Sequence, residues 1–128
     1  MEKYSLIKEN IGKGTFGSVS LVKHVPTDKE MVWKKINYGQ LREKEIHQLI
    51  NEVNILRELK HENIVRCYDK IVDKKQTTLY IVMEHCKGGD LAQLIEKCKK
   101  KSQQINEDFI WKILMQVTLA LFECHRGY

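Results

Sequence analysis

Ile11-Gly12-Lys13-Gly14-Thr15-Phe16-Gly17-Ser18-Val19, with Val32-Trp33-Lys34 arriving one strand and one turn later, is the stretch whose reading decides the fold. Three glycines let backbone N–H groups approach phosphate oxygens that a Cβ would hold off, and Phe16 and Val19 then cover what lies beneath. Taken alone, the same glycines are equally a tight hairpin turn in an antiparallel sheet. The residues after the loop narrow the choice. A dinucleotide-binding loop opens a helix, whereas Ser18 to Val25 alternates at period two with β-branched residues, so the glycines join strand to strand. That pattern argues against a Rossmann unit, and the lack of Lys-Ser/Thr after Gly17 argues against a Walker loop.

Outward from the loop, Tyr4 to Ile11 forms a first strand, residues 18 to 25 return beside it, and Pro26-Thr27-Asp28 makes the next turn. Residues 30 to 36 form a third strand whose alternation puts Val32, Lys34 and Ile36 on one face and Trp33 and Lys35 on the other. A helix from about Leu41 to Lys60 carries Ile46, Leu49, Ile50, Val53 and Leu56 at helical spacing, so one stripe packs on the sheet, and Asn63 helps to end it. Two more strands fall near Val65 to Val72 and Thr77 to Met83, separated by the polar Asp73-Lys74-Lys75-Gln76. Five short strands and one helix make a compact lobe.

At Glu84-His85-Cys86-Lys87-Gly88-Gly89 the pattern breaks into a connector, after which Asp90 and Gln93 form an N-cap pair opening a helix through about Lys97. The run Lys97 to Lys101 is either a solvated helix end or a basic patch. Asn106 caps a last helix in which Phe109, Ile110, Ile113, Leu114, Val117 and Leu121 leave little polar surface. Such a helix expects burial on most sides, and the chain supplies almost nothing to bury it.

Composition sets the outer limits. A chain of 128 residues with 42% hydrophobic content holds one core, or one small lobe plus an appendage. The net charge of +5, from 22 basic and 17 acidic residues, permits an anionic ligand, and ATP satisfies it as well as nucleic acid does. The N-terminus has no apolar signal region and no stretch reaches the roughly 18 apolar residues of a membrane span, which implies a soluble intracellular protein. Cys67, Cys86, Cys98 and Cys124 contain no Cys-x-x-Cys pair, so neither a zinc site nor a disulfide framework is suggested. Reduced thiols fit the cytosol or nucleus.

In order, the chain carries the glycine loop ending at Val19, the strand Lys34, a helix carboxylate at Glu52, the joint Lys60-His61-Glu62-Asn63-Ile64-Val65, and the connector Met83 to Gly89. These residues resemble the amino-terminal half of a eukaryotic protein kinase domain over essentially the whole chain. Within kinases, Val32-Trp33-Lys34, Asn37-Tyr38-Gly39, Glu52-Val53-Asn54-Ile55-Leu56-Arg57, Thr78-Leu79-Tyr80-Ile81-Val82-Met83-Glu84 and Gly88-Gly89-Asp90-Leu91 are similar to the NIMA-related serine/threonine kinases. The resemblance implies an α+β fold: a kinase N-lobe of a five-stranded antiparallel sheet plus one long helix over residues 1–83, a hinge over 84–89, and the first two helices of the C-lobe over 90–128.

Lys34 rather than Lys35 is then the phosphate lysine. The residue two before it shares its face and must lie over adenine, where Val32 fits and Trp33 would fill the pocket. Glu45 and Glu52 share a flank with Leu49 and Leu56, but seven residues separate them by about 10 Å, so only one can meet Lys34. The family register selects Glu52, nine residues before His61, and leaves Glu45 as a solvated helix charge. The resemblance further implies that the Lys34–Glu52 pair holds the ammonium against the α- and β-phosphates. Ile11, Gly12, Gly14, Gly17, Val19, Val32 and Met83 line the nucleotide, and the Glu84 carbonyl and Cys86 N–H read the adenine edge. Leu56 and Cys67 resemble two members of the hydrophobic spine.

The sequence departs from the family by ending at Tyr128, before any His-Arg-Asp catalytic loop or Asp-Phe-Gly magnesium ligand. The expectation is an ATP-binding amino-terminal part of a serine/threonine kinase that is inactive alone, with Mg2+ ligands and protein substrates belonging to the missing part. ATP affinity is expected to be on the order of millimolar or weaker. The alternative is a non-catalytic kinase-like module that docks, dimerises or exchanges its helix through residues 107–124. No membrane partner is expected, and nucleic-acid binding through Lys97 to Lys101 lacks an aromatic stacking platform. The expected location is cytoplasmic, with nuclear or cytoskeletal association as variants.

Overall fold

The computed structural model describes residues 2–14 and 17–127; the expectation for Phe16 lies outside the described residues. Strands β1 (Tyr4–Gly14), β2 (Gly17–His24), β3 (Lys29–Asn37), β4 (Cys67–Asp73) and β5 (Thr78–Glu84) form one sheet in the order β1-β2-β3-β5-β4, every neighbouring pair antiparallel. Helix α1 (Glu43–Glu58) comes after β3, and α2 (Leu91–Lys100) and α3 (Glu107–Gly127) close the chain. The residues fall into two compact units, one of Met1–Lys60 with Val65–His85 and one of His61–Ile64 with Cys86–Tyr128.

In the first unit the period-two pattern of β3 sorts the core onto two faces. Ile36, Leu79 and Ile81 pack with Val53 of α1, joined at the edge by Leu49, Leu56, Cys67 and Met83. On the other face Val22, Met31 and Val82 lie under Tyr4, Trp33, Tyr68 and Ile71, with Val22 and Val82 wholly buried. The Trp33 and Tyr80 rings meet with centroids 4.9 Å apart and planes tilted by 49°, a contact that aromatic side chains at diagonal positions of adjacent antiparallel strands can reach. Strand β1 is the irregular member. Its register slips between Leu6 and Lys8 and again before Gly12, Asn10 takes a left-handed φ of 52°, and its N–H donates to Ser20 Oγ at 3.2 Å. That bond satisfies a hydroxyl that β2 carries into the interior.

Helix α1 is shorter than the periodicity of 41–60 suggests. Leu41 and Arg42 are extended, and the Glu45 carboxylate accepts from the Arg42 backbone N–H at 2.8 Å and from its guanidinium at 3.2 and 3.3 Å. An acid at the third helical position reaching back in this way starts the helix at Glu43. Leu59 is extended again, so α1 stops well before Asn63, whose N–H donates instead to His61 Nδ1.

In the second unit the expected Asp90–Gln93 cap is present as a reciprocal box, Asp90 Oδ1 accepting from the Gln93 N–H at 2.8 Å and Gln93 Oε1 from the Asp90 N–H at 3.3 Å. Helix α2 runs one turn beyond Lys97 because lysine is a good helix former and a cation is favourable at a helix C-terminus. Asn106 Oδ1 accepts from the Asp108 N–H at 2.9 Å and starts α3. Much of α3's apolar surface stays in solvent, with Trp111 61% and Phe122 65% exposed. Among the described residues no helix is long and apolar enough to cross a membrane.

Candidate nucleotide site on the first unit

The site is built by register. Antiparallel partners share a face, and the pairings Val19–Lys34–Ile81 and Leu21–Val32–Met83–Cys67 set two rows side by side on the face that α1 covers. Because Val53 anchors α1 over Ile36, Leu79 and Ile81, the helix covers one end of that face. Val19 and Met83 at the other end are half-buried, and Val32 is 8% exposed between them. Lys34 stands at the boundary, half-buried, on the same face as Val32 and Ile36, while Trp33 packs on the opposite one.

Next to this patch in the sheet is the β1–β2 hairpin. Gly12 pairs with Val19 and Gly14 with Gly17, so the loop joins strand to strand. The glycines differ in what holds them. A Cβ on Gly17 would run into the carbonyl oxygen of Lys35, so the sheet itself demands glycine there. A Cβ on Gly12 would meet only Val19 Cβ at 3.9 Å, an ordinary contact, so packing does not explain that glycine. Ile11 is 40% exposed.

The acidic partner is not engaged. Among the described residues Lys34 and Glu52 form no ion pair, and Glu52 sits on the exposed flank of α1 while its neighbour Val53 takes the buried one. Glu45, the other acid on that flank, is committed. The hydrogen bonds from the Arg42 guanidinium and backbone hold its carboxyl below the usual carboxylate range, and the same bonds raise the Arg42 guanidinium. The family register leaves Glu45 as a solvated helix charge, and the structure corrects this: Glu45, three residues past Arg42, closes the cap of α1.

At the edge of the sheet Glu84 is exposed. Its N–H donates to the Arg66 carbonyl at 2.9 Å and its carboxylate accepts from the Arg66 N–H at 3.3 Å, which pins the end of β5. Cys86 belongs to the second unit, where it is exposed and its carbonyl accepts from the Gly89 N–H at 3.2 Å. Leu56 and Cys67 both pack against the Ile36 cluster beside Met83. Burial pushes the Cys67 thiol up, which suits a packing role better than a reactive one.

The first unit thus brings Val19, Val32, Lys34 and Met83 to one face of the sheet, with Gly12 paired to Val19, and among the described residues leaves Glu52 unjoined to Lys34. Such an arrangement offers apolar surface and a half-buried cation, unpaired among the described residues, that suits an anionic group.

The protein kinase domain family matches residues 5–127. The probable serine/threonine-protein kinase nek2 of Dictyostelium discoideum is 50% identical over 125 residues, covering 98% of this chain and 30% of its own length. The human serine/threonine-protein kinase Nek2 is 51% identical over 116 residues, covering 91% of this chain and 26% of its own. The G2-specific protein kinase nimA of Emericella nidulans is 41% identical over 126 residues, covering 98% and 18%. This chain therefore spans less than a third of the length of each of these relatives. With residues 5–127 matched and the lysine, hairpin and helix in the order described, the chain belongs to the protein kinase domain family, and the relatives named here are NIMA-related kinases.

Proposed function

We propose that these residues form the ATP-binding part of a NIMA-related serine/threonine protein kinase, and that their own contribution is to hold and orient the nucleotide. One observation carries the reading: a half-buried lysine, unpaired among the described residues, stands beside Val19, Val32 and Met83 next to a glycine hairpin. Adenine lies between Val19 and Val32 with Met83 behind it, the Glu84 carbonyl takes its edge, and Ile11 covers the rim. Gly12, Gly14 and Gly17 admit the phosphates to the hairpin backbone, and the Lys34 ammonium meets the α- and β-phosphates.

When nucleotide brings the ammonium into place, Glu52 turns to it from α1 and holds it against the phosphates. That is positioning chemistry, and no proton is moved by these residues. Magnesium, which the family reading brings with ATP, neutralises phosphate charge when bound; its ligands are not assigned to residues of this chain. Protein substrates belong to the whole kinase, in a cytoplasmic or nuclear setting. Titration calorimetry with MgATP tests the assignment: binding on the order of millimolar is expected, at least about tenfold weaker in Lys34→Met. Steady phosphate incorporation into a peptide by the 128 residues would overturn the restriction to binding.

A second reading rests on α3, whose large apolar side chains from Phe109 to Phe122, Ile113 excepted, stay 41–65% exposed. Two copies pair antiparallel through this helix, Glu107 and Asp108 of one facing His125 and Arg126 of the other. Light scattering that gives a clean monomer at high concentration removes it.

A further inference from the structure

On the face of the sheet opposite α1, three donor groups converge at the edge strand β4. Tyr68 packs on Val22, Met31 and Val82 and is half-buried. Lys29, two residues before Met31 and on the same face of β3, donates from Nζ to the Tyr68 phenol oxygen at 2.7 Å, and its ammonium stands 4.7 Å from the ring centre. The Arg66 guanidinium stands 5.5 Å from the same centre. Arg66 is fixed at its backbone, where its carbonyl accepts from the Glu84 N–H at 2.9 Å and its N–H donates to the Glu84 carboxylate at 3.3 Å. Among the described residues neither cation has an ion pair, and the phenol, which accepts from an ammonium, has no acceptor for its own proton. The nearby acids are turned elsewhere. Asp69 accepts from the Tyr4 phenol at 3.2 Å and from the Lys70 N–H at 2.8 Å, Glu30 lies on the opposite face of β3 beside His85, and Glu84 is held at the Arg66 backbone.

We infer that Lys29, Tyr68 and Arg66 form a site for a phosphate monoester dianion, the group that a phosphorylated side chain carries. The charge decides the sign: two cations around one phenol, neither paired to a carboxylate among the described residues, favour an anion at the phenol oxygen. The donor count decides the group. A phosphate monoester brings close to two negative charges and three acceptor oxygens, which match two cations and the free O–H, whereas a carboxylate brings one charge and two oxygens. Arginine adds a planar fork of N–H donors that suits phosphate oxygens two at a time. Cation–π contact with the packed Tyr68 ring keeps both cations at the site before a guest arrives. The site lies on the side of the sheet away from Ile36 and Lys34, so it does not rest on the nucleotide reading.

A blocked Gly-phosphoserine-Gly peptide is the probe, read by amide chemical-shift mapping of the full 128-residue chain. Saturable shifts centred on Lys29, Met31 and Tyr68 are expected, with a dissociation constant on the order of 1–10 mM for so small a guest. The peptide with plain serine is expected to leave these amides unmoved, and the peptide with glutamate in place of phosphoserine to bind about tenfold more weakly. Inorganic phosphate separates the sources: matching shifts assign the site to the phosphate group by itself, and their absence assigns it to phosphate carried on a peptide. Lys29→Gln and Arg66→Gln are each expected to weaken binding about fivefold, and Tyr68→Phe, which keeps the ring and loses the O–H, about threefold. Unchanged shifts of Ile36 and Val53 on the other face check the fold of each variant. Serine or glutamate matching phosphoserine, shifts gathered at Lys97 to Lys101 or around Lys34, or an affinity indifferent to Lys29→Gln and Arg66→Gln overturns the inference. Lys34→Met, which weakens MgATP binding, leaves these readouts unchanged, so the two assignments fail separately.

Discussion

Val53→Ala tests how α1 is held in place. Val53 is 3% exposed, the one buried residue of α1, and its partners Ile36, Leu79 and Ile81 come from two strands of the sheet. The substitution removes two buried methyl groups, worth about 1.6 kcal/mol at about 0.8 kcal/mol each. A residual void of roughly 40 Å3 adds about 1 kcal/mol at about 24 cal/mol per Å3, giving a loss of about 2–3 kcal/mol. Urea unfolding reads it as a lowered midpoint at unchanged slope. Native-state hydrogen exchange reads where the loss falls: α1 amides open most easily, while β2 and β3 amides lose only the global share. A loss below about 0.5 kcal/mol, or α1 protection no lower than before, would refute the claim that this side chain fastens the helix that carries Glu52.

Particular groups elsewhere in the first unit make three further predictions. Gly12→Ala leaves stability unchanged or raises it by about 0.5 kcal/mol but weakens nucleotide binding, whereas Gly17→Ala costs more than about 2 kcal/mol because its methyl meets the Lys35 carbonyl; thermal melts and calorimetry separate the two. The Tyr4 phenol, which donates to Asp69 at 3.2 Å, is pushed up to about 12, first by burial and then by the Asp69 charge. The folded state therefore favours the protonated phenol, and that stability is complete below about pH 10 and disappears as pH rises through about 12. Phenolate absorbance should show one late tyrosine that is missing in Tyr4→Phe. The Glu45 carboxyl, held low by Arg42, stabilises the start of α1 above its ordinary pKa and ceases to do so as pH falls through its lowered one; Glu45→Gln should speed exchange of the first-turn amides at neutral pH.

The sheet is legible in the sequence because β3 alternates strictly: Val32, Lys34 and Ile36 against Trp33 and Lys35 can only sort to opposite faces. The Asp90–Gln93 cap is legible for a similar reason, since its two residues carry the bond within one turn. The hidden features depend on distant or atypical partners. Gly17 is required by a carbonyl 18 residues along the chain, which no local pattern announces. Glu45 caps a helix whose preceding residue is arginine, outside the usual Ser, Thr, Asp or Asn set, so periodicity alone overruns α1 by two residues at that end.

The central claim is that Lys34 and the neighbouring β1–β2 hairpin receive the phosphates of ATP. Amide chemical-shift mapping during a MgATP titration, on the unsubstituted chain and on Lys34→Met, tests it most directly. The account predicts saturable shifts at Gly12, Gly17, Val19, Val32 and Met83, with at least about tenfold weaker binding in Lys34→Met. Shifts gathered instead at Lys97 to Lys101, or an affinity indifferent to Lys34→Met, would contradict it.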